Sequence, residues 1–421
     1  MSMSEIAACS GCPIIDFFAM QIAPKDASAP LVKSARDVKM KIQTIVENCT
    51  IDDVRAWNMS VVEGFRLTRS SSFEPGAQGL ALAKLATHKK GELVMQCAFP
   101  EPVSADEFEA CLLGGPFGIS LIRHAKEKSF GQEDKAASTT FDENLASFYL
   151  QRGGLLGKGQ NCALVCVDPG YKLPSKLKAY AKNEDKDFPL DESDFRQMLT
   201  SMAVTLGFRS FLSSSTESPL NSFVFECFVN SQEHGQSSKN NVARQGVRAL
   251  LIEKVVVRST TKLEKLSKGL QEYIARTTES PEGKLGLGLV CLTIADQGDG
   301  IQVTLPPASS NESAKNRFAR AFVREVTRKP QGAIKRGLGL SHALSAAHKM
   351  RARIEIHSSG IHYVQDFSFE ESPYPQLDRN AIVEDDLTRG CGTTVSIWVP
   401  EYAPGLDQPD LFDRKNFQPV A

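Results

Sequence analysis

The chain has 421 residues, enough for two or three domains of ordinary size, and its 41% hydrophobic content supplies sizeable cores. With 49 basic against 50 acidic residues the formal net charge is −1, which excludes a global field for holding nucleic acid or an anionic membrane. The longest apolar stretch, Leu285 to Ala295, falls well short of the roughly 20 residues of a membrane helix, so no membrane span is expected.

Residues 1–35 are rich in Ala, Ser and Pro and read as a loose lead-in without a charged-then-apolar signal pattern. Ten scattered cysteines fit a reducing compartment, and a cytoplasmic protein is expected. Cys9 and Cys12 have CxxC spacing, but zinc needs a second pair, and none stands nearby. The spacing of Val38, Ile42, Ile45 and Val46 predicts a helix, followed by a short amphipathic piece up to Val61. Gly76 to Thr87 reads as a helix, Leu93 to Phe99 as a buried strand, and Phe117 to Lys128 as a further helix. A small α/β domain over 36–130 follows. The polar stretch Lys126 to Thr140 reads as a linker. His124, beside Arg123 and Lys126, is expected at the surface.

Over 131–204 the pattern predicts a helix near Phe141 to Gln151, a strand at Cys162 to Val167, a charged run and a helix from Asp194 to Leu206. Gly153-Gly154-Leu155-Leu156-Gly157-Lys158-Gly159 superficially suggests a P-loop. It lacks the first glycine and the final hydroxyl, so it reads as a turn. From 205 to 402 the predicted elements are a helix at Pro219 to His234, a strand at Val247 to Arg258 and a helix at Thr261 to Thr278. A strand then runs from Leu287 to Ala295, with helices at Ser313 to Thr327 and Gly339 to Met350. A hairpin folds around Ser358-Ser359-Gly360, and a last strand covers Thr393 to Val399, leaving a tail at 403–421.

Four short motifs fall in order along this last segment. On the first helix Glu226, Asn230 and His234 recur every four residues and project from one face. A carboxylate and an amide one turn apart suit a site where one group orients or deprotonates water and the other ligates magnesium. Asp296-Gln297-Gly298-Asp299-Gly300-Ile301 follows a strand, where an acid can accept a hydrogen bond from an exocyclic amine while the glycines let the backbone pass close to a ligand. Arg336-Gly337-Leu338-Gly339-Leu340 opens a helix, so phosphate can approach free backbone N–H groups at the positive end of its dipole. Gly390-Cys391-Gly392-Thr393-Thr394 leads into the final strand.

In this order and spacing the motifs resemble the N, D-x-G-x-G, G-x-G-L and G-T boxes of the GHKL superfamily (gyrase, heat-shock chaperone, histidine kinase and MutL ATPases), over about 205–402. The resemblance implies an α/β (α+β) chain whose C-terminal half is a two-layer sandwich binding Mg-ATP. Position by position, it implies Glu226 as the catalytic base and Asn230 as the Mg2+ ligand, and Asp296 as the adenine-binding acid. Gly298 and Gly300 become the pocket-floor glycines, with Ile301 beside them. Arg336, Gly337, Leu338, Gly339 and Leu340 become the phosphate side, and Gly392 with Thr393 or Thr394 the last box. His234 completes an N-x-x-x-H-G ending similar to that of anti-sigma kinases. Phe318 and Phe322 resemble a lid's aromatic pair, with core packing the alternative. Lys315, Arg317, Arg320, Arg324, Arg328 and Lys329 either reach phosphates or form a solvated basic face.

The expected function is an ATPase switch coupled to an N-terminal region that senses or binds a protein partner, with a homodimer compatible. Two alternatives are a protein kinase acting on a separate protein and a nucleotide-gated scaffold without turnover. No phosphoacceptor pattern surrounds His88 or His124, and with only about 20 residues after Pro400 the gyrase-like branch, which carries a further domain there, is not the expected one.

Overall fold

The computed structural model describes residues 43–45, 49–57, 64–67, 73–87, 93–97, 115–130, 155–158, 161–168, 192–206, 219–235, 246–256, 263–278, 288–323, 339–368 and 376–402. The expected helix at Phe141 to Gln151, His88, Cys9 and Cys12 lie outside them.

The first unit runs β1 (Gln43–Ile45), α1 (Ile51–Ala56), β2 (Gly64–Leu67), α2 (Ala77–Lys84), β3 (Leu93–Cys97), α3 (Pro116–His124) and β4 (Ala125–Phe130). Its four strands pair in parallel in the order β1-β2-β3-β4, with helices as the crossovers that parallel pairing requires. Where a helix is expected from the spacing of Val38, Ile42, Ile45 and Val46, the described residues Gln43–Ile45 form strand β1, and the short amphipathic piece expected after it contains the six-residue helix α1. Thr50 starts α1 with a reciprocal capping box, its hydroxyl accepting from the Asp53 N–H while its own N–H reaches the Asp53 carboxylate at 2.9 Å. The region expected as a linker begins inside β4.

The second sheet has eight strands, all paired antiparallel, in the order β11-β10-β9-β12-β8-β7-β6-β5. In chain order its elements are β5 (Leu155–Lys158), β6 (Asn161–Val167), α4 (Glu192–Thr205), α5 (Pro219–His234), β7 (Val247–Val256) and α6 (Lys268–Thr278). They continue with β8 (Gly288–Asp296), α7 (Ala314–Arg320), α8 (Gly339–Lys349), β9 (Arg353–Ser358), β10 (Ile361–Asp366), β11 (Ile382–Glu384) and β12 (Thr393–Tyr402). The glycine-rich segment read as a turn therefore contains strand β5. The sheet crosses the boundary expected between 204 and 205, because β5 and β6 extend it beyond β7. Within the helix expected over Ser313 to Thr327, the described residues, which end at Val323, are helical over Ala314–Arg320.

Alternation along the strands divides the two faces. Ile294 and Leu292 of β8, Val395 and Ile397 of β12, and Ile354 and Ile356 of β9 join Phe223 and Phe228 of α5 in the largest core. The opposite residues, Leu289, Cys291 and Trp398, pack against Leu270, Tyr273 and Ile274 of α6, and against Leu80 of α2 and Phe117 of α3. A sheet buried on both faces explains why β8 reads as an unbroken apolar run. The two-layer sandwich expected for the C-terminal half thus gains a third layer, supplied partly by the first unit. That packing also buries His124, whose Nδ1 lies 2.9 Å from the Ser120 carbonyl, correcting its expected surface position.

Phe318 and Phe322 pack on Tyr363 with centroids 6.0 and 5.7 Å away and are buried, so the core-packing reading of the pair holds. In the same segment Arg317 and Arg320 turn to Glu312 at 3.6 and 2.8 Å, while Arg324, Arg328 and Lys329 lie outside the described residues. Among the described residues no helix is long and apolar enough to cross a membrane.

Candidate functional site

Asp296 ends β8, and β12 begins beside it with Thr393 directly opposite; Ser358 at the end of β9 faces Thr393 in turn. The three side chains form a row across three strands, on the face that carries α5 and α8. Thr394, one residue on, points to the other face, where a Cβ on Gly79 of α2 would lie 3.4 Å from its methyl. The geometry therefore separates the two threonines. Thr393 shares the face of Asp296, and Thr394 packs against the first unit.

The turn after Asp296 is held on both sides. The Asp296 carboxylate accepts the Gly298 N–H at 2.7 Å, an Asx turn that fixes the carboxylate at the strand end. The Ile301 N–H donates to Ser358 Oγ at 2.7 Å, and Gln302 Nε2 donates to the carbonyls of Ser358 and Ser359 at 2.8 and 2.9 Å. Gly300 has φ of +98°, and a Cβ there would sit 2.6 Å from that of Ser359, so both conformation and space demand glycine. Ser358 and Gln302 were not identified from the sequence. Their role depends on the β9–β10 turn meeting the loop after β8, a contact visible only once the sheet order is known.

Gln297 ties this loop to the rest of the molecule. Its amide nitrogen donates to the Leu82 carbonyl of α2 at 3.0 Å and to Ser120 Oγ of α3 at 2.6 Å, while its oxygen accepts the Val247 N–H at 2.8 Å. The Gly392 N–H donates to the Ala83 carbonyl at 3.0 Å. The first unit thus contacts both loops that flank Asp296. A Cβ on Gly392 would fall 1.9 Å from the Asp296 carbonyl oxygen, against backbone that cannot swing aside. Gly392→Ala is expected to force β12 away from β8 and cost roughly 3 kcal/mol or more. Urea unfolding monitored by circular dichroism checks this, and an unshifted midpoint would contradict it.

The C-terminal end of α5 closes another side. A Cβ on Gly235 would stand 2.9 Å from that of Asp296 and 3.2 Å from Cδ of Arg248, whose guanidinium makes a buried 3.0 Å ion pair with Asp168. On α5, Glu226 and Asn230 are half-buried beside the buried Cys227, Phe228 and Ser231, so the polar pair flanks the apolar seam. At 1.5 Å per residue, Asn230 lies about 7.5 Å and Glu226 about 13.5 Å back along the axis from Gly235. His234 belongs to the last turn of α5. Helix α8, opened by Gly339 and Leu340, lies alongside α5. Arg336, Gly337 and Leu338 lie outside the described residues.

The structure therefore brings together Asp296, Gly298, Gly300, Ile301, Gly392 and Thr393, with Asn230 and Glu226 on the adjoining helix, and separates Thr394 from them. Such a cluster offers an acid at a strand end, closely approaching backbone, and a carboxylate–amide pair in line beyond it. Comparison with protein-family models and with curated proteins finds no match to this chain.

Proposed function

We propose that the chain is an ATP-driven switch of the GHKL type, which binds Mg-ATP between α5, α8 and the loop after β8 and hydrolyses it. The observation that carries the reading is the Asp296–Thr393–Ser358 row at the sheet's end, walled by the end of α5 at Gly235. The Asp296 carboxylate is oriented by the Gly298 N–H and suits an adenine amine as donor. From there Asn230 and then Glu226 follow along α5, the direction in which a triphosphate extends. An amide oxygen at Asn230 suits Mg2+, a hard cation that neutralises phosphate charge when bound. Glu226, one turn further, is then placed to take a proton from water.

The tie through Gln297 and Gly392 to α2 and α3 gives the first unit a direct hold on the pocket, which supports a switch in which a partner of that unit and ATP affect each other. Glu226→Ala is expected to keep ATP affinity within about twofold and to reduce phosphate release by about 100-fold or more, the usual scale of a lost general base. If γ-labelled ATP instead marks a second protein with little free phosphate, the enzyme is a kinase. Undiminished phosphate release by the variant would remove Glu226 from the chemistry.

A further inference from the structure

On the other face of the sheet, away from the proposed nucleotide pocket, the β9–β10 hairpin gathers Glu355, His357 and His362. Alternation puts Glu355 and His357 on one face of β9, and the register sets His362 directly across from His357. Glu355 Oε1 lies 3.2 Å from His357 Nε2 and 3.1 Å from His362 Nε2. The imidazoles stack with centroids 4.3 Å apart and planes 5° from parallel. One donor atom from each of the three side chains lies within 4.8 Å of the other two.

Ligands held about 2.0–2.2 Å from one cation at ordinary coordination angles are themselves separated by about 3–3.5 Å. Both Glu–His separations fall in that range, and a shared cation requires the two stacked rings, now 5° from parallel, to turn so that their in-plane Nε2 lone pairs converge. Arg353 donates to the other carboxylate oxygen, Oε2, at 2.9 Å, which leaves Oε1 turned toward the two imidazoles. Two imidazole nitrogens and one carboxylate oxygen suit Zn2+ and its neighbours, whereas Mg2+ and Ca2+ select oxygen ligands. Glu355 and His357 are buried, while the His362 side chain keeps 15% exposure and gives the cluster an outlet.

We propose that Glu355, His357 and His362 form a binding site for Zn2+ or a similar first-row divalent cation, with water completing its coordination. Bound there, the cation would cross-link β9 to β10 just before the turn whose Ser358 and Ser359 hold the loop after Asp296.

The test uses the full-length chain with Cys9→Ser and Cys12→Ser, so that the CxxC pair cannot bind zinc, stripped with chelator and titrated with ZnCl2 by calorimetry. One Zn2+ per chain is expected. His362→Gln and Glu355→Gln should each weaken binding more than ~100-fold, beyond the loss that changing an outer-shell partner causes, and His348→Gln should leave it unchanged. Co2+ substitution of the parent chain gives an independent readout if a variant fails to fold. Visible d–d bands without a thiolate charge-transfer band are expected. No stoichiometric binding, affinity unchanged in both ligand variants, or a thiolate band would overturn the site and leave Glu355 as a hydrogen-bond acceptor between two imidazoles.

Discussion

Asp296→Asn is expected to abolish ATP binding, weakening it by about 100-fold or more, equivalent to ~2.7 kcal/mol. The substitution is nearly isosteric. Its remaining oxygen can still accept the Gly298 N–H that the carboxylate receives at 2.7 Å, so the Asx turn survives. What changes is the face toward the base. An amide NH2 presented to an adenine amine sets donor against donor, and a buried donor left unpaired costs about 1–3 kcal/mol in addition to the lost charge-assisted bond. Calorimetric titration of the folded variant with Mg-ATP checks this, with circular dichroism confirming the fold. Unchanged affinity would place the nucleotide elsewhere.

The second large effect concerns the seam between the first unit and the eight-stranded sheet. Glu74 accepts from the Ile51 N–H at 2.8 Å and from Ser267 Oγ at 2.6 Å, and Glu253 accepts from the Gly76 N–H at 2.7 Å. Both are buried, and Glu355 with its Arg353 partner and the Cys291 thiol lie on the same side of the sheet. Burial pushes Glu253 from the ordinary 4.5 up to about 7, with the charge of Glu74 adding to it. Burial likewise pushes Glu74 to about 7, opposed by its hydrogen bonds. A folded-state value above the unfolded one means that the native chain holds its proton longer. Stability is therefore unaffected below about pH 4.5, falls as pH rises through 7, and stays lower above it. At about 1.4 kcal/mol per unit, each group can contribute a loss of roughly 3 kcal/mol. Urea unfolding of the wild type and Glu253→Gln at pH 5 and pH 8 isolates the contribution. The variant should gain on the wild type by a few kcal/mol between the two pH values. A pH-independent difference would mean that Glu253 titrates normally.

Much of the C-terminal half was legible in the sequence because its signals are local. The continuous apolar run of β8, the alternation of β12 and the Ser-Ser-Gly turn between β9 and β10 fixed both type and place. The parts that failed depend on tertiary contacts. Strand β1 has three residues and β5 contains glycine and lysine, so neither carries a periodic signal, and each is a strand only because a longer neighbour pairs with it. His124 looked solvated beside Arg123 and Lys126, but α3 lies against the sheet near β7, and its end is covered. At the candidate site, the motif spacing named Asp296, Gly392 and Thr393, but alternation across β12 was needed to separate Thr393 from Thr394. Gln297, Ser358 and Gln302 emerged only from the packing. Glu355, His357 and His362 were legible only in part, because their i and i+2 spacing is visible along β9 but the cross-strand partner is not.

The most direct test of the proposed function is a paired titration of the wild-type chain with Mg-ATP and with Mg-inosine triphosphate, which lacks the 6-amino group. Because the Asp296 carboxylate is assigned to that amine, ATP should bind and inosine triphosphate should bind at least about 10-fold more weakly, the ~1.4 kcal/mol of one hydrogen bond. Equal affinity for the two nucleotides, or no binding of ATP, would contradict the assignment of Asp296.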